Sequence, residues 1–285
     1  MYINFLSAYE KKGKIKLLTY RGAYEKTLSV LLLLSLMFLS FTACSNTGTP
    51  TNTPGDTTDG DSGPVPAFVD QIKDYDKVDD SSTEGFVIKS KKYDYEGNNV
   101  VILNLENQSE NNYTVTVNLT YCDGAGNTLC EDLQSFEGFA ANWQKYFVFE
   151  PNKPFDSYTY EIALEEYSGE CYAQYVDISF GQLEEAWTEV EGDTVTKYPS
   201  IISTCYPKNS SGYQLNTGYH LVVIDNTGKI FFIGSCGALI APYAKGDNYS
   251  NILILQCLEG DLVWPEEIKD GVLGICAVES VTPYE

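Results

Sequence analysis

The sequence predicts an all-β fold, with two β-sandwich domains in tandem behind an N-terminal leader and a flexible linker. Three observations carry this prediction. From residue 67 onwards, short segments rich in β-branched and aromatic residues recur, and several alternate apolar with polar side chains. Turn residues such as Gly, Asn and Asp separate these segments at regular intervals. No segment there has the pattern of a helix except a weak candidate at residues 183–191, and regular short strands with turns are typical of a sandwich.

Residues 1–43 are organised like an export signal. Basic side chains are concentrated between Lys11 and Lys26, and an uncharged apolar run extends from Leu28 to Phe41. The run is too short for a membrane-spanning helix, which needs about 20 residues, but it suits the hydrophobic region of a signal peptide. Small residues then lead to Cys44.

The residues before Cys44, which are Phe41, Thr42 and Ala43, resemble the lipobox of bacterial lipoproteins, although that family usually has an aliphatic residue in place of the phenylalanine. The resemblance implies that a diacylglyceryl group is attached to the Cys44 thiol and that the leader is cleaved just before it. It also implies that the lipid anchors the protein on the extracellular face of the cell membrane. The alternative is an ordinary secretory signal that ends near a cysteine by chance.

Residues 44–66 form the predicted link between the lipid and the folded part of the chain. After Cys44 the segment is rich in Thr, Gly, Pro and Asp, and its only large apolar side chain is Val65. A segment of this composition cannot bury a core, so we expect a flexible tether.

The first predicted domain spans residues 67–183. Four of its segments have the composition of strands, namely Val100–Asn107, Tyr113–Cys122, Gln144–Glu150 and Tyr158–Tyr167. In the second of these segments apolar and polar residues alternate strictly, as in a strand with one buried face. The sequence CDGAGN follows, and its Asp123 and Gly126 suit the first position and the left-handed position of a hairpin turn.

The same hairpin pattern recurs in the second predicted domain, residues 184–285. Asp123 corresponds to Asp225 and Gly126 to Gly228, each 102 residues further on and between two apolar segments. We therefore interpret the second domain as a weaker repeat of the first. The alternative is that any two hairpins share such residues because turn geometry demands them.

Two stretches of the first domain resemble the FxLYD-type domain of Gram-positive lipoproteins, which is an immunoglobulin-like β-sandwich. They read VILNLENQSENNYTVTVNLTYCDGAGNTL and FEGFAANWQKYFVFEPNKPFDSYTYEIAL. The similarity covers most of the first domain and, more weakly, Ser200–Val281. Cys122 interrupts the usual Tyr-Asp pair of that family, and AANW stands in place of its Pro-Gly turn. The resemblance implies immunoglobulin-like sandwiches in a non-catalytic protein of a Gram-positive bacterium, and it supplies no functional residues.

The chain is strongly acidic, with 18 basic and 40 acidic residues and a formal net charge of −22. Such a surface repels nucleic-acid phosphates, so a nucleic-acid partner is excluded. Acidic doublets such as Glu165 and Glu166 are attributed to the solvated surface, because adjacent side chains on a strand point to opposite faces. A calcium site in the sandwich loops stays open, but no specific metal ligands and no cofactor are predicted.

Seven cysteines remain after Cys44, an odd number that cannot all pair within one chain. The candidate disulfide joins Cys122 and Cys130, which flank one predicted hairpin. The alternative is that the cysteines are buried thiols that pack like small apolar residues. No CxxC pair occurs, so neither a zinc site nor a thioredoxin-like redox site is predicted.

One cysteine lies in a sequence that resembles a catalytic loop. Gly234–Gly237, which reads GSCG, is similar to the nucleophile loop of chymotrypsin-like cysteine proteases, where backbone N–H groups form an oxyanion hole. Cys236 would need a base, and the chain has one histidine, His220, without an acid that the sequence places beside it. We therefore expect that the protein is not an enzyme.

The aromatic residues indicate binding instead. The chain has 22 tyrosines, and its three tryptophans, Trp143, Trp187 and Trp264, fall near predicted loops or strand edges. Flat rings beside polar groups bind sugars, and tyrosine-rich surfaces suit protein recognition, although sandwich cores also consume aromatic residues. We predict a non-catalytic surface lipoprotein that displays its sandwiches to an extracellular protein or to the cell envelope. Carbohydrate binding in a glycan-uptake system is the second hypothesis, with the tryptophans as ligand-binding residues.

Overall fold

The predicted all-β fold is confirmed. A computed structural model describes residues 9–10, 15–17, 70–79, 85–151, 153–190, 196–246, 249–257 and 260–284. Within these residues lie fifteen strands, one 3-10 helix and one single-turn α-helix. Cys44, the predicted tether and the apolar run of the leader lie outside the described residues. No helix in the described part of the chain is both long enough and apolar enough to cross a membrane.

The elements follow one another in chain order. The strands before the 3-10 helix are β1 (Tyr9–Glu10), β2 (Ile15–Leu17), β3 (Lys77–Asp79), β4 (Phe86–Tyr95), β5 (Asn98–Asn107), β6 (Tyr113–Cys122), β7 (Thr128–Phe139), β8 (Gln144–Phe149) and β9 (Ser157–Glu166). The 3-10 helix (Tyr172–Tyr175) is followed by β10 (Val176–Val190), β11 (Thr196–Asn209), β12 (Leu215–Ile224), β13 (Ile230–Ile240), β14 (Ser250–Gln256), the helix α1 (Glu266–Lys269) and β15 (Leu273–Pro283).

Both sandwiches pair their strands in the same order. In the first, β3, β4, β5 and β8 form one sheet and β7, β6 and β9 form the other. In the second, β10, β11 and β14 share one sheet and β13, β12 and β15 form the other. The six strands from β4 to β9 therefore match the six strands from β10 to β15. Strand β2 adds to the edge of β10 in parallel, and β1 pairs with β2.

The two predicted hairpin turns also share their hydrogen bonds. The carboxylate of Asp123 accepts hydrogen bonds from the backbone N–H groups two and four residues further on, and the carboxylate of Asp225 does the same. Gly126 and Gly228 follow with φ angles of 84° and 82°, a left-handed conformation that glycine adopts without strain. The turn residues that correspond in the sequence thus have the same roles in the structure.

The sheets differ in the number of faces that they bury. Strand β6 alternates buried with partly exposed residues, as expected for a sheet with one face in the core and one towards solvent. Strand β5 is buried at every position from Val100 to Leu105, and β8 is buried from Lys145 to Phe149. A strand that is buried on both faces carries a nearly continuous apolar run. The sequences VVIL in β5 and YFVF in β8 are runs of this kind.

The buried outer faces of the two sandwiches pack against each other. Residues of β4, β5 and β8 form one hydrophobic cluster with residues of β12, β13 and β15, and we call this contact the interface. Its buried residues are Ile72, Tyr93, Val100, Ile102, Tyr146, Val148, Val222, Ile224, Ile230, Ile233, Ile275 and Ala277. The two sandwiches therefore lie face to face within one compact unit of the chain.

The segment before β3 is fastened to the first sandwich by Asp70. Its carboxylate accepts hydrogen bonds from the hydroxyls of Tyr75 and Tyr146 at 2.7 and 2.9 Å, and it lies 3.2 Å from the Nζ of Lys89. Burial acts to raise the pKa of Asp70, but these hydrogen bonds outweigh it and hold the pKa below its usual value. Since Tyr146 belongs to the interface, the chain enters the fold beside that interface.

Strand β10 follows the 3-10 helix and begins the second sandwich. It pairs with β11 from Val176 to Val190, with one irregularity between Phe180 and Gln182. The weak helix candidate at residues 183–191 was wrong for its described part, because the backbone groups of residues 183–190 bond to β11 instead of to one another. The boundary predicted between residues 183 and 184 falls within β10.

Candidate functional site

One end of the second sandwich carries five tyrosines, Tyr172, Tyr175, Tyr213, Tyr243 and Tyr284, which we call the tyrosine surface. They come from the 3-10 helix, from the loops that precede β12 and follow β13, and from the residue after β15. Tyr172 and Tyr213 meet edge to face, with ring centroids 5.4 Å apart. Tyr213, Tyr243 and Tyr284 are 47%, 64% and 45% exposed. Exposed tyrosines supply large, rigid contact areas at a low cost in conformational entropy.

The loop between β11 and β12 is the centre of this surface. Backbone hydrogen bonds of 2.8 to 3.0 Å join it to the other three segments; they run from Tyr243 to Ser211, from Ser210 to Tyr175 and from Tyr284 to Gln214. Buried Asn209 holds the loop from within, because its Nδ2 donates to the carbonyls of Tyr213 and Ala241 at 2.6 and 3.1 Å. Its Oδ1 accepts hydrogen bonds from the backbone N–H and the hydroxyl of Ser211. The tyrosines are therefore presented by a fixed scaffold.

The first sandwich has the same scaffold with fewer tyrosines. Asn107, which precedes Asn209 by 102 residues, makes the matching hydrogen bonds at the corresponding end of β5. Asn111 occupies the position that corresponds to Tyr213. Tyr167 follows β9 as Tyr284 follows β15, and its N–H bonds to Asn112 O as that of Tyr284 bonds to Gln214 O, so this tyrosine belongs to the shared scaffold. Tyr213 and Tyr243 have asparagines in their place in the first sandwich, so folding of this end requires the buried asparagine but not these two rings.

Tyr243 has a backbone conformation that is unfavourable for its side chain. Its φ is 54°, in the left-handed region that bulky residues rarely adopt. Asn142, at the corresponding turn of the first sandwich, has a φ of 55°, and asparagine tolerates this region. A tyrosine there costs roughly 1 kcal/mol or more of backbone strain, yet its side chain gains little burial in return because it is 64% exposed. A strained and exposed ring of this kind makes Tyr243 a candidate for binding.

A carboxylate, that of Glu170, lies at the edge of the tyrosine surface beside Tyr175. The hydroxyl of Tyr175 donates a hydrogen bond to Glu170 Oε1 at 2.7 Å, and this contact raises the pKa of Tyr175 to about 12. The phenol therefore keeps its proton at physiological pH. The surface offers hydroxyl groups beside apolar ring faces, a combination that suits binding to a polar and uncharged or weakly basic partner.

The three predicted tryptophans lie in different surroundings. Trp143 packs in the first sandwich, where its ring stacks on Phe136 with centroids 5.5 Å apart. Trp264 donates a hydrogen bond from Nε1 to Glu185 at 2.7 Å. Trp187 lies two residues after Glu185 on β10 and is 64% exposed, and residues two apart on a strand share a face. The structure therefore bonds Trp264 to Glu185, places Trp187 on the same face of β10 as Glu185, and uses Trp143 for packing.

A cavity of about 240 Å³ lies between the two sandwiches. Lys145 of β8 lines it from the first sandwich, and His220 of β12 and Glu279 of β15 line it from the second. His220 Nδ1 is 3.0 Å from Glu279 Oε1, and this contact holds the pKa of Glu279 below its usual value. Lys145 is only 5% exposed, and burial lowers its pKa to about 7. Its Nζ lies 3.9 Å from the ring centroids of both Phe136 and Phe147.

The structure separates the two residues of the hypothetical cysteine-protease site. Cys236 pairs with Tyr219 across the β12–β13 ladder, and His220 pairs with Ser235. Neighbouring residues on a strand point to opposite faces, so the Cys236 thiol lies on the core face of this sheet and His220 on the interface face. Burial raises the pKa of Cys236, which keeps the thiol protonated. This histidine therefore cannot activate this cysteine.

Cys122 and Cys130, the candidate disulfide, are free thiols in the structure. The register places Cys130 opposite Tyr121 and Cys122 opposite Thr128, because the pairing shifts at this end of the hairpin. The two cysteines are thus not paired directly across the hairpin, and their disulfide stays a prediction. Among the described residues, no group of three or more His, Cys, Asp or Glu side chains could hold a metal ion.

Fold and surface together define a protein of two tandem β-sandwiches, one of which presents a cluster of exposed tyrosines on an ordered end. No protein-family model matches the chain, and no curated protein matches it either. A function for this protein must therefore be argued from its own residues and not from those of relatives.

Sequence reasoning selected the tryptophans and missed the tyrosine surface. The available signal was position, because Tyr213 and Tyr243 directly follow turn residues in SSGY and in APY. A tyrosine inside a strand has cross-strand neighbours to pack against, whereas a tyrosine in a turn has none that the sequence can identify. With 22 tyrosines in the chain, those in turns did not stand out by number from those in strands.

Proposed function

We propose that this protein is a non-catalytic surface lipoprotein whose second sandwich binds a protein or another component of the cell envelope through the tyrosine surface. One observation carries the proposal: four chain segments bring five tyrosines together on a scaffold that in the first sandwich has Asn111 and Asn142 in place of Tyr213 and Tyr243. The strained Tyr243 adds to it, since folding alone favours an asparagine at that position.

The residues around Cys44 support the membrane anchor in this proposal. A lipid on Cys44 would hold the mature chain at the extracellular face of the membrane, and the tether would let the sandwiches reach outwards. The FxLYD-type resemblance fits the same role, because it implies a non-catalytic immunoglobulin-like module of a Gram-positive lipoprotein. Cleavage before Cys44 would also remove β1 and β2, which would leave the edge of β10 without its parallel neighbour.

Mass spectrometry of the protein purified from its native membranes tests the anchor. We expect Cys44 as the N-terminal residue of the mature chain, with a diacylglyceryl thioether on its sulfur. The Cys44→Ser variant should lack the lipid and keep its leader. A native protein with an intact leader and an unmodified Cys44 thiol would contradict the anchor but not the binding surface.

A sedimentation assay with envelopes of the producing organism tests the binding surface. The full chain carrying Cys44→Ser is labelled and mixed with these envelopes, and the variants Tyr213→Ala and Tyr243→Asn are compared with it. We expect each variant to weaken binding by roughly tenfold or more, as for the loss of a central aromatic contact. Tyr243→Asn is the sharper variant, because asparagine suits the left-handed backbone and the fold should lose no stability.

Leu133→Ala is the matched control for this assay. Leu133 lies on β7 of the first sandwich and is 64% exposed, the same fraction as Tyr243. Its truncation should leave envelope binding unchanged. Equally strong binding by the Cys44→Ser chain, both tyrosine variants and Leu133→Ala would contradict the proposal. Loss of binding after protease treatment of the envelopes would identify the partner as a protein.

Carbohydrate binding remains the second candidate because Trp264 is bonded to Glu185 and Trp187 shares the face of β10 that carries Glu185. Sugar sites combine flat aromatic faces with carboxylate acceptors, and this arrangement has both. A glycan array with the full chain and with Trp187→Ala distinguishes the two functions. A sugar signal that Trp187→Ala removes and Tyr213→Ala leaves unchanged would favour this candidate over the tyrosine surface.

A further inference from the structure

The core of the second sandwich contains two thiols in contact across its two sheets. Cys205 lies on β11 and Cys276 lies on β15, and these strands belong to the two different sheets of the sandwich. The sulfur of Cys276 donates a weak hydrogen bond to the sulfur of Cys205 over 3.8 Å. Both cysteines are free thiols in the structure. A disulfide has its sulfurs about 2 Å apart, so the two sulfurs must approach each other by roughly 2 Å to form one.

The first sandwich shows that this contact is not a requirement of the fold. At the positions that correspond by strand pairing, it has Leu103 in place of Cys205 and Tyr160 in place of Cys276. Leu103 is fully buried, and Tyr160 packs against the same core. The first sandwich thus connects its two sheets at this point by apolar packing, and the second sandwich replaces both side chains with thiols.

A third thiol lies nearby but on a different strand. Cys236 of β13 shares a sheet with Cys276, and it pairs with Tyr219, whose ring is fully buried in the same core. Burial raises the pKa of Cys236, whereas the hydrogen bond between Cys276 and Cys205 raises the pKa of Cys276 and lowers that of Cys205. Because buried thiols are shielded from disulfide reagents, oxidation is faster in the chain before its core has closed.

We propose that Cys205 and Cys276 form a disulfide that joins the two sheets of the second sandwich while the exported chain folds. A protein disulfide of an oxidoreductase, or a small-molecule disulfide, serves as the oxidant. The thiolate of one cysteine attacks the oxidant and forms a mixed disulfide, and the second cysteine then displaces the oxidant's sulfur. The Cys205–Cys276 bond forms, the oxidant's S–S bond breaks, and two electrons and two protons leave the protein to give two thiols on the oxidant.

The bond would restrain the unfolded chain more than the folded one. It closes a long loop of the chain from β11 to β15, which contains the whole of β12, β13 and β14 and a part of each terminal strand. Closing a long loop removes conformational entropy from the unfolded state. The bond also joins the sheet of β11 to the sheet that contacts the first sandwich, so it would strengthen the domain that carries the tyrosine surface.

Refolding in a glutathione buffer tests the proposal without dependence on export. The full chain carrying Cys44→Ser, which keeps seven cysteines, is unfolded, reduced and refolded with oxidised glutathione in mild detergent. We expect five titratable thiols after denaturation instead of seven, and a peptide map that contains Cys205 joined to Cys276. The oxidised chain should melt roughly 5 to 15 °C above the reduced chain.

Three variants complete the test. Cys205→Ala and Cys276→Ala should each abolish the oxidation-dependent rise in Tm, and Cys236→Ala should retain it. A peptide map that joins Cys205 or Cys276 to Cys236, or seven free thiols in the refolded wild-type chain, would overturn the proposal. The peptide map of the wild-type chain tests the proposal even if a variant fails to fold. Native protein alkylated directly on cells should show the same Cys205–Cys276 peptide.

Discussion

Among single residues, Lys145 is the clearest case of a charge in an unfavourable place. Its ammonium group has two aromatic rings as neighbours at 3.9 Å, and the described residues give it no hydrogen bond or ion pair. Ring faces attract a cation by about 1 to 2 kcal/mol, which does not replace the lost hydration of a buried charge. Burial therefore lowers the pKa of Lys145 to about 7 from the ordinary value of 10.5.

The stability of the fold should consequently rise with pH because of Lys145. Between about pH 7 and pH 10.5 the unfolded chain holds a proton on this lysine that the folded chain has released. The unfolded state thus binds more protons in this window, and the free energy of unfolding increases with pH across it. Below pH 7 both states are protonated, and the full cost of the buried charge remains. Urea unfolding between pH 6.5 and pH 10 measures the slope.

Replacing Lys145 by methionine should remove that slope. We expect Lys145→Met to be more stable than the wild type by about 1 to 3 kcal/mol at pH 6.5, because an apolar side chain of similar length has no charge to desolvate. The control is Lys229→Met, which changes an exposed lysine in the β12–β13 hairpin and should alter neither the stability nor its pH dependence. A Lys145→Met variant that is less stable at pH 6.5 would show that the two rings compensate the charge fully.

At the scale of elements, each hairpin depends on one glycine and one carboxylate. In the β12–β13 hairpin, Asp225 fixes the turn by accepting the N–H groups of Thr227 and Lys229, and Gly228 supplies the left-handed residue. A methyl group on Gly228 would meet nothing within 4 Å, so only its backbone angle opposes a larger residue. A substitution at Gly228 therefore tests the effect of backbone strain without added steric crowding.

We expect Gly228→Ala to lower the free energy of unfolding by about 1 kcal/mol, because alanine resists a φ of 82°. Gly237→Ala is the matched control in the same hairpin. Gly237 is an exposed strand residue without a positive φ, and an added methyl group would only touch Thr217 O at 3.7 Å. Urea unfolding of the two variants compares them directly. Equal effects would mean that the turn conformation is not what holds this hairpin.

At the scale of the whole molecule, the two sandwiches use different faces to meet. The first contributes the outer face of its β4–β5–β8 sheet, and the second contributes the outer face of its β13–β12–β15 sheet. The β13–β12–β15 sheet of the second sandwich corresponds to the β7–β6–β9 sheet of the first. The outer face of that first-sandwich sheet is not apolar, because it carries the polar, partly exposed side chains of β6, namely Thr114, Thr116, Asn118 and Thr120. An interface between two unlike faces leaves one face of each kind free, so further sandwiches could in principle add to it without limit. The polar residues of β6 prevent such an addition at the free face of the first sandwich.

The shared interface should make the two sandwiches unfold together. Val222 and Ile233 face each other on β12 and β13 and are 0% and 3% exposed. Truncating both to alanine should cost about 3 to 6 kcal/mol and should split a single calorimetric transition into two, with the second sandwich melting first. The measurement is differential scanning calorimetry of the full chain carrying Cys44→Ser.

A matched double variant lies on the opposite side of the first sandwich. Thr114→Ala with Asn118→Ala changes two outward residues of β6 and should leave one transition with a nearly unchanged Tm. If the interface variant still melted in one transition, the segment with the 3-10 helix that joins β9 to β10, together with the packing of the sandwich interiors, would be enough to couple the two sandwiches. The interface would then only add stability.

The sequence by itself determined the strand content, the alternation of β6 and both hairpin turns. These features depend on neighbouring residues: a period of two residues defines the buried face of a strand, and the φ of a turn selects glycine at one position. The match between Asp123 and Asp225 was visible for the same reason, since equal local geometry requires equal residues.

Only the tertiary structure decided which residues from distant segments meet. The interface brings β5 against β12, the tyrosine surface collects rings from four segments, and Cys205 reaches Cys276 across two sheets. The continuous apolar runs of β5 and β8 showed that both faces are buried, but not against what. The physical reason is that the position of a residue in its strand determines the face on which its side chain lies. The partners of that side chain depend on how the sheets pack, and packing depends on the combined shape of residues far apart in the chain.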